Sequence, residues 1–355
     1  MRLTIFTDEL KLDLADGIKT LKDWGFRWLD LRGRIFGKHF EKLDDAERAR
    51  LRRLLDDHGM KIACLESSLA KVHLPDSARL VAEQEKLEQI IRAADALDCR
   101  LVRAFHYWQP AAGPDRGQLA VQPDKLQIVL DMFGPLAERA RKAGLTLAFE
   151  NCGVSLDEVF ALLDALPDRD WGLAWDCANA WTANQVPNRD LYARCLARTR
   201  VVHVKAVGIV PGLHPVAVPW REILSDLSAQ GFAGPVSIET HNPDKSVSDA
   251  DMCRRVLDGL TPLVPHAAPQ ARVGASFEPV RFVIVGMGMG KSRARQMKNT
   301  PGTTLAGVVD RDEARARTAG EELGVEWTTD LAPWLRRSDV DAVFVVTPTG
   351  LHAEP

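Results

Sequence analysis

The chain has 355 residues, 27% of them charged, and a formal net charge of −3, which is length enough to bury a large core in one big domain or two smaller ones. The near-neutral balance excludes a polybasic nucleic-acid surface and an acidic tail, leaving a small molecule as the expected partner. The N-terminus MRLTIFTDELKLDL has Asp8, Glu9 and Lys11 where a signal peptide needs an apolar run, and no window approaches the length of a membrane span. A cytoplasmic protein with no membrane partner is therefore expected. The six cysteines form no CxxC pair, so neither a disulfide framework nor a structural zinc site is signalled.

Along the chain, short β-branched or aromatic runs alternate with longer helical patterns up to about residue 265. The predicted strands are LTIFT (3–7), WLDLRG (28–33), KIACLES (61–67), LVRAFHY (101–107), TLAFENC (146–152), WGLAWDC (171–177), VVHVKAV (201–207) and PVSIETH (235–241). Helices are predicted near 12–24, 44–59, 77–97, 122–143, 155–166, 217–230 and 247–261. In the second of these, Ala46, Leu51, Leu54 and Leu55 share one face and Gly59 supplies the stop. The sequences DWGF, DHGM, KAGL and AQGF each put a glycine between a helix and the next strand, as a left-handed cap requires. Eight such units over residues 1–262 predict an α/β fold of the (β/α)8 barrel type, with a doubly wound open sheet as the alternative. Residues 263–279, rich in Pro, Ala and Gly, read as a linker. A second, incomplete Rossmann-like parallel unit is expected over 280–355.

In a parallel barrel the side chains that meet a substrate come from the C-terminal strand ends. Strand five ends in Glu150 and strand six in Asp176, strand seven carries His203, and strand eight carries Glu239 and His241. Glu150, Asp176, His203 and Glu239 are separated by 26, 27 and 36 residues, about one βα unit each, so four consecutive strands offer one ligand-type group to the same mouth. Three carboxylates and an imidazole suit a divalent ion such as Mn²⁺ or Mg²⁺, with Co²⁺ and Zn²⁺ as alternatives. Each residue has a plainer reading. Asp176 could cap the following helix, His203 could be an ordinary core histidine, and Lys205 could be a salt-bridge partner rather than an oxyanion stabiliser. Glu150 and Glu239 sit in apolar contexts where an unpaired carboxylate is costly. His106, His241, Arg32 and Glu66 also fall at predicted strand ends, as candidate contacts to substrate hydroxyls.

The segments FTDE, VRAFHYW, AFEN, AWDCAN, VVHVK and VSIETH, taken in order, resemble the xylose-isomerase-like barrel superfamily of sugar and sugar-phosphate isomerases and epimerases. The resemblance implies that Glu150, Asp176, His203 and Glu239 are metal ligands and that Glu150 and Glu239 also form the acid/base pair. One departure is that Ala206 follows Lys205 where the family often has Lys-Asp. The chemistry expected is proton transfer through an enediolate: a divalent ion on adjacent carbonyl and hydroxyl oxygens acidifies the C–H between them, and two carboxylates move the proton. The rivals are a dehydratase or lyase of a keto-sugar or inosose, and a non-catalytic sugar-binding barrel that partners an oxidoreductase. The expected partner is a sugar or sugar phosphate, and homo-oligomerisation is left open.

In VRFVIVGMGMGKSRAR a buried strand leads into glycines and then a helical pattern, which is the context of a dinucleotide site, with Gly286 and Gly288 at the first two fingerprint positions, Lys291 at the third and Gly290 displaced by one. A second strand ends in Asp310, placed to bond ribose hydroxyls, and Arg311 beside it leaves NADP open. Residues 280–355 resemble the N-terminal half of the glucose-fructose oxidoreductase and inositol dehydrogenase family. In that family further strands and a separate α/β domain complete the site, so weak or absent NAD(P) binding is the expectation.

Overall fold

The computed structural model describes residues 1–110, 112–264, 279–288, 290–298 and 303–347. The chain divides into two compact units, Met1–Ala268 and Pro269–Pro355. Most of the expected linker, 265–278, lies outside the described residues, as do residues 348–355.

The first unit is an eight-stranded parallel sheet curled into a nearly closed barrel. Its strands are β1 (Arg2–Ile5), β2 (Trp28–Leu31), β3 (Lys61–Glu66), β4 (Leu101–Ala104), β5 (Thr146–Glu150), β6 (Gly172–Asp176), β7 (Thr199–Val204) and β8 (Pro235–Ile238). The spatial order runs β1-β8-β7-β6-β5-β4-β3-β2, and a parallel bridge between Phe6 and Asp30 brings the first and last strands together. All eight strands predicted from sequence are present, ending one to three residues earlier than their apolar runs suggest. The remainder of each run turns out of the sheet to form the mouth.

Seven predicted helices are found: α1 (Leu14–Asp23), α2 (Asp45–His58), α3 (Ser77–Leu97), α4 (Pro123–Lys142), α5 (Leu156–Ala165), α8 (Trp220–Ala229) and α9 (Asp249–Leu260). Capping boxes start α2, from Asp44 and Glu47, and α5, from Ser155 and Glu158. The four cap glycines, Gly25, Gly59, Gly144 and Gly231, have φ of 91°, 65°, 67° and 76°, the region where a Cβ is disfavoured. Two helices escape the sequence reading, α6 (Cys177–Thr182) and α7 (Arg189–Arg198). The first is barely more than a turn, and Cys195 is the one buried residue of the second, so neither has a wide apolar face to announce it. A two-stranded hairpin at Arg34–Ile35 and Lys38–His39 was likewise not expected.

Inside the barrel, alternation sets the layers. Ala148, Ala174 and Val201 form a small interior cluster, and two residues further along the same strands stand Glu150, Asp176 and His203. Small apolar groups thus fill the barrel beneath a polar layer.

The second unit is a four-stranded parallel sheet, β9 (Val280–Val285), β10 (Thr303–Val309), β11 (Glu326–Thr328) and β12 (Ala342–Val345), in the order β11-β10-β9-β12, with helices α10 (Gly290–Lys298) and α11 (Glu313–Leu323). Strand β11 is too short and polar to be read from sequence. Among the described residues no helix is long and apolar enough to cross a membrane.

One position in the barrel permits a direct check. A Cβ on Gly172, at the start of β6, would lie 1.9 Å from the carbonyl oxygen of Arg198, so the next strand can approach only a glycine. Gly172→Ala should lower barrel stability by about 1–3 kcal/mol or more, read as a reduced midpoint in chemical denaturation, whereas Gly134→Ala, with open space around its Cβ position, should not.

Candidate metal centre

The register of the sheet puts the polar layer together. His203 on β7 lies beside Asp176 on β6 and Ser237 on β8, and Glu66 on β3 lies beside Arg103 on β4. Glu150 ends β5 and Glu239 follows β8. The side chains of Glu66, Glu150, Asp176, His203 and Glu239 are all buried. Ligand atoms of Glu150, His203 and Glu239 lie within 4.8 Å of one another. His203 Nδ1 is 3.9 Å from Glu150 Oε1 and 3.8 Å from Glu239 Oε2.

Whether these residues fit an ion can be asked of their unmet bonds. Among the described residues, His203 Nδ1 and Glu239 Oε2 have no hydrogen-bond partner although both are buried, a costly state for polar atoms. Ligand bonds of about 2.0–2.2 Å place neighbouring ligand atoms roughly 3–4 Å apart, and the two distances from His203 Nδ1 stand at the upper end of that range. The other ring nitrogen, Nε2, lies 3.3 Å from Glu66 Oε2. A protonated Nε2 facing that carboxylate leaves Nδ1 as the free donor, the usual arrangement of a metal-binding histidine. The donor set fits a divalent cation.

Asp176 stands at the edge of this triangle. Its Oδ1 accepts from the backbone N–H of Asn179 and caps α6, while its Oδ2 lies 2.6 Å from Lys205 Nζ. Its backbone is clamped by Asn151, which accepts from the Asp176 N–H and donates to its carbonyl, both at 2.9 Å. Of the four residues expected to converge, Glu150, His203 and Glu239 bring ligand atoms within 4.8 Å of one another, and the fourth, Asp176, pairs with Lys205 through an oxygen that, like His203 Nδ1 and Glu239 Oε2, has no hydrogen-bond partner among the described residues. Lys205 also bonds Asn179 Oδ1, so it is engaged as a salt-bridge partner.

The other expected contacts divide. Arg32 does not present a free guanidinium to solvent, because it pairs with Asp8, Glu9 and Glu239. His241 is exposed, with Nε2 3.0 Å from Glu239 Oε1. Glu66 faces His203 and Arg103 rather than the open mouth. His106 is fully buried, and burial alone pushes its pKa down to about 3, with no contribution from the carboxylates of the cluster. It meets Phe149 edge to face at 6.0 Å and is not drawn into the cluster.

Sequence reasoning missed Arg103, Phe6 and Asp30. Arg103 Nη1 donates to Glu150 Oε2 at 3.0 Å and its Nε lies 3.2 Å from Glu66 Oε2. The signal was present, since an arginine inside the apolar run LVRAFHY needs a buried partner as much as Glu150 does. Asp30 accepts from Thr4 and Ser237 across three strands, and burial beside Glu66 raises its pKa to about 7.

The electrostatics follow from this packing. Burial would push the His203 imidazolium pKa down, but Glu66, Glu150 and Glu239 outweigh it and raise the value to about 9. Burial would raise the Glu239 carboxyl, yet His241, His203 and Arg32 hold it well below the usual carboxylate range. In chelator-treated protein, His203 should therefore be protonated at pH 7. Its stabilising contribution is complete below the ordinary value of 6.5 and is lost as pH rises through about 9. Imidazole NMR should show titration near pH 9 for this ring, and His203→Gln should flatten the decline of stability between those limits. Titration of the ring near 6.5 would contradict the assignment.

In the second unit, Gly286 has φ of 96° and a Cβ there would lie 2.8 Å from the carbonyl oxygen of Val346. Gly290 opens α10, where a Cβ would lie 3.2 Å from Ile284, so it supplies the close helix-strand packing of a dinucleotide loop. Gly288 is exposed with open space around it. Asp310 accepts from the backbone of Met287 at 2.6 Å and of Asp312 at 2.9 Å and lies 3.0 Å from Arg315 Nη2. Its carboxylate braces the glycine loop from the end of β10.

Comparison with known proteins agrees with both halves. Residues 280–355 match the oxidoreductase family with an NAD-binding Rossmann fold. Over 77 residues the chain is 40% identical to 2,7-anhydro-N-acetylneuraminate hydratase of Mediterraneibacter gnavus, covering 21% of this chain and 20% of that protein. Scyllo-inositol 2-dehydrogenase (NAD(+)) of Bacillus subtilis is 36% identical over 78 residues, covering 21% and 23%. The chain thus spans about a fifth of the length of these curated relatives. Among solved structures, the IOLI protein with a bound zinc atom superposes with a TM-score of 0.58 at 15% identity, covering 74% of this chain and 98% of that one. D-psicose 3-epimerase in the presence of D-fructose gives 0.57 at 17%, covering 75% and 100%. A barrel protein from Mycobacterium smegmatis in complex with magnesium gives 0.51 at 18%, covering 71% and 89%. At these identities the likeness is one of fold. Residues 18–263 match the model of the xylose isomerase-like TIM barrel, and the chain belongs to that family.

Proposed function

We propose that the barrel is a divalent-metal-dependent isomerase or epimerase of a sugar or sugar phosphate, with Glu150, His203 and Glu239 holding the ion and Asp176 beside them. The observation that carries this reading is the buried triangle of His203 Nδ1, Glu150 Oε1 and Glu239 Oε2, two of whose atoms lack a hydrogen-bond partner among the described residues. The similar solved structures with zinc, with magnesium and in the presence of D-fructose support it. When bound, the ion would supply Lewis acidity toward adjacent carbonyl and hydroxyl oxygens of the substrate.

The chain's own groups account for the rest. Glu239, held low by its cationic neighbours, is ionised at neutral pH and acts as proton acceptor from the carbon next to the carbonyl. Glu150, arriving from β5 on the other flank of His203, is the partner carboxyl: carrying a proton at the start of the turnover, it delivers that proton to the enediolate and is left ionised, while Glu239 holds the proton it took until exchange with solvent resets the pair. Return to the opposite face of the same carbon gives an epimer, and return to the neighbouring carbon gives the isomer. Lys205 and Asn179 fix Asp176, and Glu66 fixes the His203 ring, so that the reacting carboxylates keep their places through the cycle.

Two measurements test the reading. Purified protein should carry about one divalent ion per chain, His203→Ala should lose it, and Asp176→Asn should weaken it less, because that carboxylate is turned to Lys205. With a panel of ketoses that includes D-fructose, turnover in deuterated water should place deuterium on the carbon next to the carbonyl, and Glu150→Gln or Glu239→Gln should abolish both exchange and conversion. Full metal retention in His203→Ala, or turnover without solvent exchange, would overturn the assignment.

A further inference from the structure

We infer that Arg103 and Arg32 are a matched pair of positioning residues, each pinning one oxygen of a candidate ligand carboxylate so that its second oxygen is the single donor offered to a metal. The inference rests on the metal-binding reading above.

The two sides of the site share an arginine on one carboxylate oxygen, and on the Glu239 side His241 Nε2 is a further partner of that oxygen at 3.0 Å. Glu150 Oε2 accepts from Arg103 Nη1 at 3.0 Å, and its Oε1 faces His203 Nδ1 at 3.9 Å. Glu239 Oε1 accepts from Arg32 Nη1, and its Oε2 faces the same nitrogen at 3.8 Å with no other partner among the described residues. In both carboxylates one oxygen is committed to a guanidinium and the other points inward.

Neither arginine is free to swing. Arg103 Nε and Nη2 donate to the backbone carbonyls of Ser67 and Glu66, at 3.1 and 3.0 Å. Arg32 Nε donates to Asp8 at 2.9 Å and Nη2 to Glu9 at 2.5 Å, and Glu9 is itself bonded by Thr240 and by the His241 backbone. Both guanidiniums lie over the ring of Phe6, at 4.3 and 5.8 Å, and the His203 ring meets the same phenyl edge-on at 5.1 Å. One aromatic side chain at the end of β1 therefore braces all three groups, with a cation–π contribution from each arginine.

Such an arrangement has a cost and a consequence. A fixed cation beside each carboxylate lowers the attraction of the site for a dication. In exchange, neither glutamate can become bidentate, which keeps coordination positions for two substrate oxygens. An arginine that served only to hold the fold would have the opposite signature, since its loss would loosen the glutamate and weaken the metal.

The experiment uses the full chain with Mn²⁺ and Co²⁺ as probes, comparing wild type with Arg103→Met and Arg32→Met, each first checked for folding by circular dichroism. The methionine variants should bind Mn²⁺ at least about tenfold more tightly, and the visible Co²⁺ absorption should weaken as the freed carboxylate adds a donor. Arg32 is at the partly exposed rim, so that variant carries the test if Arg103→Met does not fold. Mn²⁺ binding that is unchanged or weaker in a folded methionine variant, or an unchanged Co²⁺ spectrum, overturns the inference. Failure of the wild type to bind either ion overturns instead the metal-binding reading on which it rests.

Discussion

The carboxylates of Asp30, Glu66, Glu150, Asp176 and Glu239 are buried in one end of a parallel barrel, and the site is organised by the need to balance them. An ionised carboxylate taken out of water without a partner is strongly unfavourable. Each of these is met by a specific group: Glu66 and Glu150 by Arg103 and His203, Asp176 by Lys205, Glu239 by Arg32, His203 and His241. Asp30 is met by two hydroxyls and has its proton affinity raised instead. The same low-dielectric setting that makes pairing obligatory also makes every charge here felt by its neighbours, which is why the imidazolium of His203 is stabilised despite complete burial.

The barrel can carry this load because its strands are held in register by continuous parallel pairing and its lower interior is filled by small apolar side chains. Rigid strands set the depth of each charged group, and the turns immediately after them add the remaining partners: Asn151 clamping Asp176, Glu9 holding Arg32, Asn179 holding Lys205. Sites built on strand ends keep tighter geometry than sites built on long loops. Phe6, which leaves β1 just where the sheet closes through Asp30, turns that closure into a support for three cationic side chains at once.

The second unit obeys the same logic on a smaller scale. Gly286 is required by its backbone angle and by the nearness of Val346, while Asp310, reached from the next strand, bonds the backbone of the glycine loop. An acidic residue at that strand end can brace the loop as well as meet a ribose, and in this structure the bonds to Met287, Asp312 and Arg315 occupy it.

Much of this was legible in the chain itself. The alternation of apolar runs with helical patterns determined an eight-strand barrel, the cap glycines determined where helices end, and one ligand-type residue per strand end pointed to the mouth, because period and spacing are local properties that survive without neighbours. The sequence by itself likewise marked Glu150 and Glu239 as costly to bury alone. What only the tertiary structure decided is who answers whom. That Arg103 belongs to Glu150 and Glu66, that Arg32 reaches Glu239 from 207 positions away, and that Asp176 turns to Lys205 while His106 stays apart all depend on barrel closure and strand register. Those pairings bring together residues far apart in the chain, and no pattern along the chain encodes the distance between them.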